Sequence, residues 1–343
     1  MSTSVFDRIR SSLMTQRQNL AAWLVTTPDQ EKQLRLGPAG EGAVQAHLQV
    51  LDTALEKAAD HTLGLCDVCH DYVESSRLEM DYTACVCIDH LAEEERRRLE
   101  SDLELSQKVQ QALLPQQVPN IPGLELAAYS QPARIVGGDY FDFLRFPDNT
   151  HGLVIADVVD KGMAASLLMA SLQASLRILV GENDSPAKVV ERLNSLFIHN
   201  VHLTQFVTLF LACYDHTTRV LHYSNAGHNP PLLLRPLADG TYRADWLQPT
   251  GAAIGLVEDF AFGEEAVALQ PGDTLLLYTD GVTEARNVQG KEFRPQGLLD
   301  FMLKYSHLPA ADLVRELRRT LQEFAGGQPL ADDTTIVAGK LTT

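Results

Sequence analysis

The chain reads as an α+β protein, on three observations. From about residue 123 onward, apolar runs of strand length alternate with pairs of helical stretches, as expected of two packed sheets flanked by helices. Upstream, apolar residues recur at helical spacing with no strand-like run. Between the helical segments lies a cluster of cysteines in tight pairs, the mark of a small metal-stapled unit.

Residues 1–65 predict a helical hairpin. Val5, Ile9 and Leu13, then Leu20, Trp23 and Leu24, form one stripe. Val44, Leu48, Leu51 and Leu55 form a second, and Leu36-Gly37-Pro38-Ala39-Gly40 breaks the chain between them. Residues 66–90 carry four of the five cysteines. Cys66-x2-Cys69 and Cys87-x2-His90 can each grip a tetrahedral ion from a tight turn. Thiolates with an imidazole favour one structural Zn²⁺. Cys85 competes with Cys87, and His70 with His90.

Residues 91–122 predict a charged linker helix ended by Pro115. Its thin seam of Leu99, Leu103, Leu105, Val109 and Leu113 suits a parallel coiled-coil homodimer. Residues 123–343 form the last domain. Its strands are expected at 124–130, 137–145, 151–158, 206–214, 219–226, 230–235, 242–247, 264–269, 273–279 and 333–341. Its helices are expected at 162–180, 186–200, 295–305 and 309–325. Cys213, within an apolar run, reads as a buried core thiol.

Composition excludes some functions. Across 343 residues, 45% are hydrophobic and 21% charged, ordinary for a soluble protein. The net charge of −17 argues against direct nucleic-acid binding or a membrane surface, which need a basic face. No apolar run approaches the roughly 18–20 residues that span a bilayer. The N-terminus lacks a signal-peptide core, so a cytoplasmic protein is expected.

Four acids end apolar runs in the last domain. Asp139 follows Gly137-Gly138, Asp157 closes Leu153–Ala156, Asp280 follows Thr274–Thr279, and Asp332-Asp333 precede Thr334–Ala338. Carboxylates brought that close repel unless a cation neutralises them. Asp139, Asp157, Asp280 and Asp332 suit a pair of Mg²⁺ or Mn²⁺ ions. Such ions, roughly 4 Å apart, share a water and clamp a phosphoryl oxygen. No protein nucleophile is then needed, consistent with the lack of a Cys-x5-Arg loop or a Gly-x-Ser-x-Gly elbow.

Two resemblances extend this reading. LGLCDVCHDYVESSRLEMDYTACVCIDHLAEEE resembles the zinc finger of the DksA/TraR family, with His90 where that family has a fourth cysteine. Residues 103–341 resemble the PPM-type, metal-dependent protein serine/threonine phosphatases, in the branch of stage II sporulation protein E and the regulators of sigma-factor partner switching. The words that carry this are LELSQKVQQALLP, PGLELAAYSQPARIVGGDYFDF, HGLVIADVVDKGMAASLLMASLQASLR, FVTLFLACYD, YSNAGHNPPLLLR, GAAIGLVED, PGDTLLLYTDGVTEARN and DDTTIVAG.

The phosphatase resemblance implies an αββα sandwich with two Mn²⁺ or Mg²⁺ ions at one end. It implies that Asp157 bridges the metals with the Val158 carbonyl as a further ligand, and that Asp139 sits close by. Asp280 and Asp332 would hold the first metal, with Asp333 an uncertain neighbour. Arg134 has the spacing of a phosphate-binding arginine in the wider family. The implied substrate is a phosphorylated regulatory protein, an anti-sigma-factor antagonist, with the N-terminal regions as a sensor. His228, in Asn225-Ala226-Gly227-His228-Asn229, is either structural or a general acid. The chain departs from the family at Val158-Val159-Asp160-Lys161-Gly162, where Ser-Gly is lost and Asp160 is expected to cap the next helix. The competing reading, from the finger resemblance, is a protein that contacts RNA polymerase and keeps an inactive phosphatase domain as a scaffold.

Overall fold

The computed structural model describes residues 3–28, 32, 40–74, 77–78, 81–148, 150–159, 162–198, 206–328 and 330–342. The chain divides into two compact units, Met1–Asp102 and Leu103–Thr343. In the first, helices α1 (Thr3–Thr26) and α2 (Gly40–Ala59) pack side by side. Their seam of Ile9, Leu13, Leu51 and Ala54 continues into Leu63, Cys66, Val73, Leu78 and Cys87, so the cysteine turns share the helices' core. Arg17 on α1 pairs with Asp52 on α2. Helix α3 (Glu93–Leu113) starts in this unit and ends in the next, and buries none of its residues.

The second unit holds two five-stranded sheets. Strands β1 (Leu124–Gln131), β2 (Tyr140–Arg145), β3 (His151–Val158), β4 (Val207–Asp215) and β5 (Val220–Ala226) are followed by β6 (Leu232–Pro236), β7 (Tyr242–Trp246), β8 (Glu265–Ala268), β9 (Thr274–Tyr278) and β10 (Thr334–Leu341). One sheet runs β1-β10-β9-β6-β7 and the other β2-β3-β4-β5-β8, with every neighbouring pair antiparallel. Helices α4 (Met163–Glu182) and α5 (Pro186–Ile198) cover the second sheet. The four-residue α6 (Asp280–Thr283) follows β9, and α7 (Arg294–Tyr305) and α8 (Ala310–Phe324) cover the first sheet.

The layers follow from side-chain alternation. Phe210 and Ala212 point between the sheets, against Leu233, Leu275, Leu277 and Val337. Leu209 and Leu211 point the other way, against Met169, Leu172, Val189 and Leu193 of α4 and α5. A strand buried on both faces must be apolar at every position, which is why residues 206–214 read as one continuous run. Each such fully buried side chain contributes about 1.5–3 kcal/mol.

Two expectations change, and two others fall outside the described residues. The strand expected from 137 starts at Tyr140, because residues 137–139 form a loop whose polar backbone groups are bound elsewhere. Helix α4 is long and apolar enough to cross a bilayer, although no such segment was expected. Its Ala165, Met169, Leu172, Leu176 and Val180 are buried against the sheet, which accounts for that composition as a core helix. The second helix is described as far as Ile198; residues 199–200 lie outside the described residues, as does Asp160 with its expected cap.

Candidate active site

Four strand ends supply the acids, two from each sheet. Asp139 stands just before β2 and Asp157 near the end of β3; Asp280 follows β9, and Asp332 and Asp333 precede β10. Asp139 is buried. Its Oδ2 accepts a 2.7 Å hydrogen bond from Thr279 Oγ1, which in turn accepts the Thr335 amide at 2.9 Å. Burial raises the Asp139 carboxyl well above the ordinary carboxylate range, and the charges of Asp157 and Asp333 raise it further. The hydroxyls of Thr279 and Thr335 only partly offset this.

The loop before Asp139 is held from two directions. Asp333 accepts the amides of Ala133 and Gly138, each at 2.7 Å, one on each carboxylate oxygen. Gln110, near the end of α3, grips Gly137 on both sides: Nε2 donates to its carbonyl at 2.6 Å and Oε1 accepts its amide at 3.0 Å. Close approach explains the two glycines. A Cβ on Gly137 would collide with the Asp333 carboxylate, and one on Gly138 would sit 2.8 Å from the Val158 carbonyl. The same approach brings that carbonyl alongside the Asp139 loop. The Asp333 backbone presses against Gly281, next to Asp280.

Arg134 is exposed on this loop, its Nη1 3.8 Å from the position a Cβ would take on Gly162, at the start of α4. Thr208 pairs with Asp157 across β3 and β4. Its hydroxyl is 2.8 Å from His228 Nδ1. Asp157 and Asp333 are therefore near enough for their charges to act on Asp139, Asp280 is carried beside Asp333, and Arg134 lies beside Gly162 at the start of α4. Sequence reasoning missed Thr279, Gln110 and Thr208. None of the three was singled out, although they lie within the words LELSQKVQQALLP, FVTLFLACYD and PGDTLLLYTDGVTEARN.

The donor set fits hard divalent cations. An acid buried beside two others, with only hydroxyl and amide donors as offset, is an arrangement that a cation relieves.

In the N-terminal unit the donor atoms of Cys66, Cys69, Cys87 and His90 lie within 4.8 Å of one another. Cys69 Sγ and Cys87 Sγ are 3.8 Å apart, and Cys87 Sγ is 3.0 Å from His90 Nδ1. Tetrahedral zinc with Zn–S bonds of about 2.3 Å places sulfurs about 3.8 Å apart. The Val68 and Cys87 amides point at Cys66 Sγ. Hydrogen bonds from the backbone of Cys69 and Cys87 pull the Cys66 thiol down to about 6, whereas desolvation pushes Cys87 up to about 11. Cys85 and His70 lie outside this group. The Cys85 thiol hydrogen-bonds Asp67 instead, which raises it.

Comparison with known proteins places the C-terminal unit. Residues 147–342 match the family model of Stage II sporulation protein E (SpoIIE). The chain is 30% identical over 242 residues to the phosphoserine phosphatase RsbU of Bacillus subtilis, covering 71% of this chain and 70% of that one. The SiaA-PP2C domain of Pseudomonas aeruginosa superposes with a TM-score of 0.63 at 22% identity, over 72% of this chain and 98% of that one. The RsbU and RsbW domains of Rv1364c from Mycobacterium tuberculosis superpose with a TM-score of 0.54 at 28% identity, over 67% of this chain and 64% of that one. The two sheets with their flanking helices are thus a PP2C-like fold, and the chain belongs to the Stage II sporulation protein E (SpoIIE) family of phosphatases.

Proposed function

We propose that the chain is a cytoplasmic, metal-dependent protein serine/threonine phosphatase that removes phosphate from a small regulatory protein of the anti-sigma-factor antagonist type. The observation that carries this is the buried Asp139 carboxyl, raised by desolvation and by the charges of Asp157 and Asp333. Asp157 would hold two Mn²⁺ or Mg²⁺ ions, with the Val158 carbonyl as a further ligand, Asp139 alongside, and Asp280 and Asp332 completing the site. Asp333 spends both its oxygens on the 133–138 loop, so it is read as the loop's anchor and Asp332 as the ligand. Ions held there would supply charge to neutralise phosphoryl oxygens and lower the pKa of a water.

The chain's own residues do the rest. Thr279 orients the Asp139 carboxylate, and Gln110 and Asp333 fix the loop that carries it. The Arg134 guanidinium, exposed at the rim, suits two oxygens of the phosphoryl group. His228 is buried, neutral and bonded to Thr208, which argues against a role as general acid.

Control is assigned to the N-terminal unit with one structural Zn²⁺ on Cys66, Cys69, Cys87 and His90. The spacing of those donor atoms supports the zinc. Exposed Leu105 and Val109 on α3 support a homodimer through that helix. The Gln110 grip on Gly137 gives the same helix a handle on the acid loop.

Phosphate release from candidate phospho-antagonist proteins, with Mn²⁺ added and withheld, tests the proposal. Release from at least one of them in the presence of Mn²⁺ is expected. No Mn²⁺-stimulated release from any phosphoserine or phosphothreonine protein would sink it.

A further inference from the structure

The two ligand pairs of the Cys/His unit arrive on separate stretches of backbone, and a carboxylate outside the ligand set joins them. The first pair rides on a ribbon. Leu65 bridges Tyr72, the Val73 amide donates to the Gly64 carbonyl at 2.7 Å, and the Cys66 amide donates to the Asp71 carbonyl at 2.8 Å. Val73 is buried in the unit's core, and the amides of Arg77 and Leu78 donate to the Glu74 carbonyl. The backbone of Glu74 is thus held on both sides. The second pair rides on the short turn Ile88–His90, in which the His90 amide donates to the Cys87 carbonyl at 3.0 Å.

Such a turn begins with amides that its own backbone cannot satisfy. A serine or aspartate in the capping position would accept one of them. Here that position is Cys87, whose side chain caps nothing, its sulfur facing His90 Nδ1 and Cys69 Sγ within the ligand set. The acceptor comes instead from Glu74, 14 positions upstream: the Ile88 amide donates to Glu74 Oε1 at 3.1 Å and to Oε2 at 3.3 Å. Glu74 is not one of the four converging donors. The Asp67 amide, donating to the Cys85 carbonyl at 2.7 Å, joins the same two stretches ahead of Cys87, and Glu74 joins them beyond it.

We propose that Glu74 is a positioning residue that fastens the second ligand pair to the first and holds Cys87 and His90 in their converging arrangement before a metal enters. The inference rests on the structural-zinc reading above and deepens it. A ligand pair already held in place loses less freedom on binding than a loose one. An acceptor that fixes the backbone beside a ligand therefore acts on affinity without touching the ion.

The test is the Zn²⁺ affinity of the full chain, by competition with a chromogenic chelator, with the visible spectrum of the Co²⁺-substituted protein read beside it. Glu74→Gln keeps an acceptor and drops the charge, and Glu74→Ala removes the acceptor. Ile88→Pro removes the donor at the first position of the turn, where proline is tolerated. Cys87 already has the extended backbone that suits a following proline, φ −73 and ψ 162. Glu74→Ala and Ile88→Pro are each expected to weaken zinc binding about tenfold, and the double variant no more than either alone. Glu74→Gln should stay within about threefold of wild type. The Co²⁺ spectrum should be the same in every variant, because the ligands are unchanged. If Glu74→Ala does not fold, Glu74→Gln and Ile88→Pro decide. Weakening of less than about threefold in Glu74→Ala or Ile88→Pro, or additive losses in the double variant, overturns the proposal. So does weakening in Glu74→Gln equal to that in Glu74→Ala, which would assign the effect to charge, or a changed Co²⁺ spectrum, which would make Glu74 a ligand. A wild type that holds no zinc would instead defeat the structural-zinc reading itself, and this inference with it.

Discussion

Asp139 is the residue at which the electrostatics are most exposed to test. Its folded-state pKa lies above the ordinary 3.8, through burial and then through Asp157 and Asp333. The folded, metal-free chain therefore binds a proton there more tightly than the unfolded chain does. The stabilisation from that proton is full at low pH and is lost as pH rises from about 4 through the raised folded value. In chelator, the unfolding midpoint should fall over that range more steeply for wild type than for Asp139→Asn. At neutral pH the metal-free variant should be the more stable of the two, by about 1 kcal/mol. It should also lose the rise in midpoint that Mn²⁺ gives the wild type. Parallel melting curves across pH would show that the acids do not repel one another. The sequence singled this residue out because an acid beside a strand-length apolar run is visible in a single chain. It gave no role to Thr279, since a threonine in an apolar strand is ordinary and its partner lies 140 positions away.

Elements were legible where their burial is simple. The strands through 207–215 and 334–341 are buried on nearly all positions, and their apolar stretches could be read from the chain. The start of β2 was misread because the fate of the Gly138 amide is decided by Asp333, 195 positions downstream. The short α6 was missed for a similar reason: four residues carry no periodicity. Between β2 and α4 a further polar network was also silent in sequence. Asp142 is 3% exposed and accepts from Tyr140 Oη at 2.9 Å, from the Phe143 amide at 2.8 Å and from Arg177 on α4 at 3.1 Å. Arg177 is itself half exposed, so the ion pair is screened and the buried hydrogen bonds dominate. Asp142→Ala should cost about 2 kcal/mol in urea unfolding, chiefly by leaving the Tyr140 hydroxyl and Phe143 amide unsatisfied. Arg177→Ala should cost less than about 1 kcal/mol. An equal cost for both would mean that the ion pair, not the buried network, holds α4 to the sheet.

For the whole molecule, the acids of the phosphatase site and the Cys/His set occupy separate compact units. Two kinds of metal are assigned to them by donor chemistry alone, oxygen ligands for Mn²⁺ or Mg²⁺ and thiolate with imidazole for Zn²⁺. Removing residues 1–90 should therefore abolish one equivalent of zinc, measured by atomic emission on chelator-washed protein. Mn²⁺-dependent cleavage of p-nitrophenyl phosphate should survive the truncation, with an altered rate or oligomeric state. Zinc retained by the truncated chain would place that ion elsewhere, and complete loss of cleavage would make the N-terminal unit part of the catalytic machinery.

The most direct measurement is phosphate-ester cleavage across a Mn²⁺ titration in wild type and Asp280→Asn. Asp280 is an acid whose loss is expected to empty the proposed site. Wild type should be inactive in chelator and rise with Mn²⁺ to saturation, while Asp280→Asn should fall at least about 100-fold at the same Mn²⁺ concentration. Equal rates in the two proteins, or wild-type cleavage that ignores Mn²⁺, would contradict a phosphatase built on these acids.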